Sequence, residues 1–189
     1  MNVYKECPQV SADRFSIRLL RQEDCEDLLR VYADPAAWPL FNADNCNGDD
    51  FRYTTMERMK QAVDFWIWSY ENGWFIRFSI IDRRAERTIG TIELFRGEPA
   101  DQPRGTAVLR LDLASDYETQ DDIMDIAALF FPEALEWFGC QTMMTKIIPQ
   151  AKARAAAFAA LGFAPSQRKM TGDDGTEYGD YWEYPKIQA

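Results

Sequence analysis

Residues 147–165 read IIPQAKARAAAFAALGFAP, and this stretch decides the architecture. Ile147-Ile148 closes a strand-like run that begins at Thr142. Pro149 opens an alanine-rich helix, because its fixed φ and missing N–H suit a first turn. The helix ends at Leu161-Gly162, where glycine readily supplies a left-handed terminus. Phe163 starts a further strand-like run to Met170. A turn containing Asp174-Gly175 joins that run to a last strand at 178–184.

Working outward, residues 121–138 place Ile123, Ile126, Ala127, Phe130, Leu135 and Phe138 at helical spacing, and Pro132 should kink this helix or split it in two. Upstream lie three strand-like runs at 74–82, 88–96 and 106–114. The charged turn RRAER suits a hairpin between the first two, and the Pro/Gly loop GEPADQPRG links the second to the third. A helix at 56–71 has Thr54 or Thr55 as its cap, with Met56, Met59, Val63, Trp66 and Tyr70 on one face. It follows a polar Asn/Asp-rich loop at 34–52. Before that loop stand a strand at 15–20 and a helix at 23–33, stopped by Asp34-Pro35. The order is β-α-α-β-β-β-α-β-α-β-β. It predicts one α/β domain over 1–189, with about seven strands in a mixed central sheet and about four flanking helices. Residues 1–13 are expected to be a flexible or peripheral segment.

Composition narrows the chemistry. The chain has 189 residues, 47% hydrophobic and 28% charged, as expected of a globular core. No apolar run approaches the ~20 residues of a membrane span. The polar N-terminus lacks a signal-peptide core, so a cytoplasmic location without membrane association is expected. Cys7, Cys25, Cys46 and Cys140 show no CxxC pairing and read as free thiols. The net charge of -10 and the absence of a Lys/Arg cluster argue against a nucleic-acid partner. There is no histidine, which excludes Ser-His-Asp and Cys-His chemistry and disfavours zinc. Acid–base work falls to carboxylates, Tyr, Cys, Lys or water.

The element order resembles the GNAT acyltransferase superfamily, and in particular its branch acetylating ribosomal-protein N-termini. SIRLLRQEDCEDLLRVYADP is similar to that branch's first strand and helix, and RTIGTIELF to its third strand. IIPQAKARAAAFAALGFAP is similar to its fifth strand, following helix and next strand. The resemblance covers nearly the whole chain. It implies an N-acetyltransferase using acetyl-CoA as co-substrate and a primary amine, of a small molecule or a peptide N-terminus, as acceptor. It also implies that strands 106–114 and 142–148 splay apart to admit the donor. The pantetheine arm would pair with the backbone of Leu111 and Leu113. The pyrophosphate would meet the helix start at Thr119, Gln120 and Asp121, where orphan amides and the helix dipole favour an anion. A carboxylate or water would deprotonate the amine, and a tyrosine often protonates the leaving thiolate.

Three positions depart from that pattern. The phosphate loop, residues 115–122, reads SDYETQDD, with no glycine, no basic residue and four carboxylates. A carboxylate roughly 5 Å from a phosphate costs on the order of 3 kcal/mol at an effective dielectric of about 20. The favoured reading of these acids is that they cap the following helix and complement its dipole. Ala151 stands where the family often has Asn, and Phe158 where it often has the acidic Tyr. Lys152 and Arg154 are candidates to meet a CoA phosphate, or simply a solvated helix face. The departures keep a rival reading open, a GNAT-fold binding module that no longer uses acetyl-CoA.

Alternation places Thr91, Glu93 and Phe95 on one face of their strand, and Val108, Arg110 and Asp112 on one face of theirs. Glu93 and Asp112 are candidate general bases. The alternative for Glu93 is a cross-strand ion pair with Arg77 or Arg110. Tyr181, with Tyr178 and Tyr184 nearby, is a candidate replacement for the missing acid. Aromatics between 66 and 75, with Phe41, Phe51 and Tyr53, read as core packing or as the wall of an acceptor pocket. Pairing through a terminal strand would make a homodimer.

Overall fold

The computed structural model describes residues 2–97 and 105–184. The loop expected at 97–105 therefore lies, for residues 98–104, outside the described residues. β1 (Val10–Ser11), β2 (Phe15–Leu19), β3 (Ile76–Asp82), β4 (Arg87–Arg96), β5 (Thr106–Leu113), β6 (Thr142–Lys146), β7 (Ala164–Pro165) and β10 (Tyr181–Tyr184) form one sheet, ordered β1-β2-β3-β4-β5-β6-β10-β7. Among the described residues, only β5 and β6 run parallel within it. The sheet is thus mixed, as the element order predicts.

Alternation sorts the strand residues between two layers. Ile76, Phe78 and Ile80, then Ile92 and Leu94, then Leu109, Leu111 and Leu113, face the larger apolar cluster. That cluster includes residues of α3 (Gln120–Ala128), α4 (Phe131–Phe138) and α5 (Lys152–Ala160). α1 (Cys25–Tyr32) and α2 (Met56–Glu71) cover the opposite face, burying Leu28, Tyr32, Met59, Val63 and Trp66 in a second cluster. The helix expected around Pro132 is split in two, with the proline in the first turn of α4, where its missing N–H costs nothing. Thr55 caps α2 by accepting from the Arg58 amide at 3.3 Å.

The N-terminal segment is peripheral, at the sheet edge, where β1 pairs with β2 and Val3 is buried with its carbonyl accepting from the Tyr70 hydroxyl at 3.0 Å. Two expectations need correction. The last helix begins at Lys152 rather than at Pro149, with Ala151 as a cap lacking a side-chain acceptor. The terminal hairpin is broken into two ladders. β7 pairs with β10 in the main sheet, whereas β8 (Met170–Thr171) and β9 (Glu177–Tyr178) form a separate pair around Asp174-Gly175. Asp180, left-handed at φ 62°, interrupts the chain between β9 and β10.

One carboxylate ties the first three long strands to α1. Asp24 is buried and accepts from the Arg18 guanidinium (2.6 and 2.8 Å), the Arg21 amide (2.9 Å), Ser79 Oγ (2.6 Å) and Thr88 Oγ1 (3.2 Å). Burial alone would raise its pKa. The Arg18 and Ser79 hydrogen bonds, the Arg18 charge and the Arg21 amide outweigh burial and hold the carboxyl below its ordinary value.

Candidate active site

Beneath α1 and α2, the sheet face carries an ionic lattice rather than an apolar layer. Register places Arg77 opposite Glu93, Glu93 opposite Arg110, and Thr91 opposite Asp112. Glu93 takes Arg77 Nε at 3.1 Å, with Arg77 Nη2 closer still, and Arg110 Nη1 at 2.6 Å. Arg77 also reaches Asp112 Oδ2 at 3.2 Å, Tyr32 Oη at 2.9 Å and Thr91 Oγ1 at 3.1 Å, and lies 4.1 Å from the Trp66 ring centre. The Tyr32 hydroxyl donates to Asp112 Oδ2 at 2.9 Å. Arg77 and Asp112 are each only 1% exposed and Glu93 is 2% exposed, so every charge here depends on its partners.

The two carboxylates respond in opposite directions. Burial favours the neutral acid in both. At Glu93 the Arg77 and Arg110 guanidiniums overcome burial, and the carboxyl is held below its usual range. At Asp112 burial prevails over Arg77, Arg154 and the Tyr32 hydrogen bond, and the pKa is raised. Asp112 Oδ1 is moreover enclosed without a hydrogen-bond partner. A carboxylate held ionised by two cations is a poor base, whereas a raised one with a free oxygen is suited to accept a proton.

β5 and β6 pair only from Thr106 and Thr142 to Leu109 and Thr145. Beyond that point β5 continues from Arg110 to Leu113 along β4 alone, leaving a gap in the β5–β6 ladder. The loop at 40–45 crosses it. The Asp44 carbonyl accepts from Arg110 Nη2 at 2.6 Å, and its carboxylate from Lys146 Nζ (2.7 and 2.9 Å) and the Tyr181 hydroxyl (2.9 Å). Asp44 therefore joins β5, β6 and β10. Arg154 makes a second tie: Nη1 donates to the Leu40 carbonyl at 2.9 Å and Nε to Glu118 Oε2 at 2.9 Å.

The acidic loop before α3 is largely neutralised. Asp116 pairs with Arg87 at 3.3 Å, Glu118 with Arg154, and Asp122 with Arg14. The Thr119 hydroxyl caps α3 by accepting from the Asp122 amide at 3.1 Å. Among the described residues, nothing accepts from the amides of Gln120 or Asp121, which remain available to an anion.

On the face carrying the ionic lattice, a pocket of about 360 Å³ opens between the 45–53 loop, α2 and β4. Glu93 and the 8%-exposed Arg110 lie at its base, and Cys46 and Asp173 are among its lining residues. Burial pushes the Cys46 thiol up to about 11, which leaves it protonated and a weak nucleophile at neutral pH. Arg110 is also the first β5 residue past the last β5–β6 pair, so the pocket's base adjoins the apex of the gap.

Solved structures share this fold. A ribosomal-protein-S5-alanine acetyltransferase from Vibrio fischeri superposes with a TM-score of 0.68 at 16% identity, over 93% of this chain and 94% of that one. A GNAT-family acetyltransferase from Bacillus anthracis gives 0.66 at 14% identity, over 94% and 96%. The chain has the GNAT acetyltransferase fold. Mycobacterium smegmatis RimJ, solved with a CoA disulfide, matches the same GNAT fold with a TM-score of 0.70 at 14% identity, over 93% of this chain and 85% of that one. No family model matches the chain, and no curated protein matches it in sequence.

Within the GNAT fold, the residues singled out from the sequence take up distinct places. Asp112, Leu111 and Leu113 lie on the stretch of β5 that pairs with β4 but not with β6, with both leucine side chains turned into the opposite core. Glu93 is the ion pair its strand position offered as an alternative, formed with both arginines at once. Tyr181 is buried, and burial together with the Asp44 carboxylate raises its pKa, so it holds its proton firmly. Thr119, Gln120 and Asp121 form the α3 N-terminus, with Thr119 committed to capping. Lys152 is exposed, but Arg154 is only 3% exposed and is no solvated face. Phe158 is core, packed edge-on against Phe163 at 5.1 Å. Asp44 has no signal of its own in the sequence: in an Asn/Asp-rich stretch it reads as a turn residue, and nothing local marks it as the tie across the gap.

Proposed function

We propose that this chain is an acyl-CoA-dependent N-acyltransferase that moves an acetyl group from acetyl-CoA to a primary amine. The observation that carries this reading is the parting of β5 and β6 immediately beside the base of the aromatic pocket. A donor in the gap and an amine in the pocket would meet at Arg110.

The residues fit the donor. The backbone of Leu111 and Leu113 has no β6 partner, the Gln120 and Asp121 amides have no acceptor among the described residues, and Arg154 lies at the loop's edge. Acetyl-CoA would supply a thioester carbonyl for the amine to attack, forming the amide and releasing the thiol, with the amine's proton ending on sulfur. Asp112, enclosed and outside the pocket lining, would take the proton from nitrogen through a bridging water. Tyr181, whose hydroxyl already donates to Asp44 and whose proton is held firmly, positions Asp44 rather than acting as the acid, and the thiolate takes the proton that left nitrogen. Glu93 moves no proton; it stays ionised and fixes Arg77 and Arg110.

The Glu118–Arg154 pair supports the rival reading, a binding module that does not use acetyl-CoA, because it spans the place a pyrophosphate would take. In the enzyme reading Arg154 exchanges Glu118 for the donor. Thermal unfolding with acetyl-CoA and with CoA separates the two. A ligand at one hundred times its Kd stabilises by about 2.7 kcal/mol. Wild type should gain stability in millimolar acetyl-CoA, and Arg154→Met should lose most of that gain. Absence of any shift with either ligand would rule out the enzyme.

A further inference from the structure

The described residues include three large hydrophobic side chains that stand exposed: Phe65 at 50%, Trp68 at 45% and Trp74 at 57%. They are contiguous. Phe65 stacks on Trp68 with ring centres 6.2 Å apart, and Trp68 meets Trp74 edge-on at 4.6 Å. Phe65 and Trp74 also line the pocket, and Phe51, Trp66 and Phe95 continue the aromatic surface inward to Glu93 and Arg110. An apolar patch joined to a concave site is a place where a ligand gains affinity from ring burial.

Charge at the pocket's base selects the amine. Both Glu93 oxygens are already bonded to guanidiniums, Oε2 to Arg77 and Oε1 to Arg110. Of the other lining acids, Asp49 is engaged by the Tyr53 hydroxyl at 2.7 Å and by Arg58. Asp173, whose carboxylate has no bonded partner among the described residues, is exposed and belongs to the β8–β9 turn. An ammonium entering the base would meet Arg110, with Arg77 behind it, and the free carboxylate of Asp173 stands on the exposed β8–β9 turn rather than at that base. An amine whose lone pair is delocalised into a ring is neutral at pH 7 and carries no such penalty.

We propose that this pocket binds aromatic amines whose amino group is attached directly to the ring, in preference to alkylamines that carry a full positive charge. The proposal rests on reading the pocket as the acceptor side, and names the acceptor class. The ring packs among the aromatic side chains, and the uncharged amino group faces the Glu93–Arg110 pair beside the gap.

Two isomers of one formula test it. 4-Ethylaniline and phenethylamine have equal numbers of atoms and one benzene ring each, but only the second is an ammonium at pH 7. Calorimetric titration of the full chain, without acetyl-CoA, should show 4-ethylaniline binding about tenfold more tightly, equivalent to about 1.4 kcal/mol. Trp74→Ala, a change at an exposed side chain, should weaken 4-ethylaniline by a similar factor while leaving the Tm unchanged. Equal or tighter binding of phenethylamine would overturn the proposal, as would a Trp74→Ala variant that binds like wild type. Acetyl transfer to alkylamines with no binding of 4-ethylaniline would overturn this inference and leave the proposed activity standing. Binding of 4-ethylaniline with no response to acetyl-CoA would support the pocket and remove the activity.

Discussion

Replacing Arg77 by methionine is expected to lower the stability of the chain by about 3–5 kcal/mol, the usual loss when one partner of a buried ion pair is removed. The magnitude follows from how many groups one guanidinium serves. Arg77 is 1% exposed, and it binds Glu93, Asp112, Tyr32 and Thr91 at once. Without it, Glu93 keeps Arg110, but Asp112 keeps only the Tyr32 hydroxyl and a more distant Arg154 charge. Urea unfolding of wild type and Arg77→Met measures the difference as a shift in midpoint at constant slope. Adding Asp112→Asn to Arg77→Met should recover part of the loss, because a neutral amide needs no buried counter-charge, while Glu93 is left in place to pair with Arg110. A midpoint unchanged by Arg77→Met would contradict the lattice described above.

The second large effect is catalytic. Asp112→Asn should lower kcat by about 10²–10⁴-fold with little change in KM, the range for loss of a general base. In wild type, the rate should rise with pH as Asp112 ionises, through a value above the ordinary 3.8. The variant should lack that limb. Linkage gives an independent check that the loss is not unfolding. A carboxyl whose pKa is raised on folding binds its proton more tightly in the native state. Its contribution is present below the ordinary value and is lost as pH rises through the native one. Asparagine at 112 is therefore expected to be no less stable than aspartate at pH 7. The opposite holds for Glu93, whose lowered pKa gives stability above its ordinary value that is lost as pH falls. Glu93→Gln should accordingly destabilise at neutral pH. A kcat retained in Asp112→Asn would contradict the assigned base.

Much of the fold is legible in the sequence because local signals agree. Pro149, the alanine run and Gly162 define a strand–helix–strand unit, and Gly162 indeed takes φ 92°. Period-two alternation groups Glu93 with Thr91, and Asp112 with Arg110, and the face they share is the one that α1 and α2 cover. The terminal hairpin is not legible: its strand propensity is genuine, but Asp180 turns left-handed and divides the ladder. In the site, residue positions are readable and their electrostatics are not. Glu93 and Asp112 are similar acids on adjacent strands, and only the register across β3, β4 and β5 gives one two guanidiniums and leaves the other with a free oxygen. Three of the four acids at 115–122 find partners in Arg14, Arg87 and Arg154, residues far away in sequence. The alanine-rich helix around Arg154 gives no sign that this side chain is buried.

The most direct test is to incubate the purified chain with acetyl-CoA and 4-ethylaniline or a mixed panel of primary amines, and to follow N-acetyl product and free CoA together by mass spectrometry. The account predicts equimolar amide and CoA, formed at a rate that Asp112→Asn reduces by about two to four orders of magnitude. No amide from any amine, with acetyl-CoA recovered intact, would contradict it.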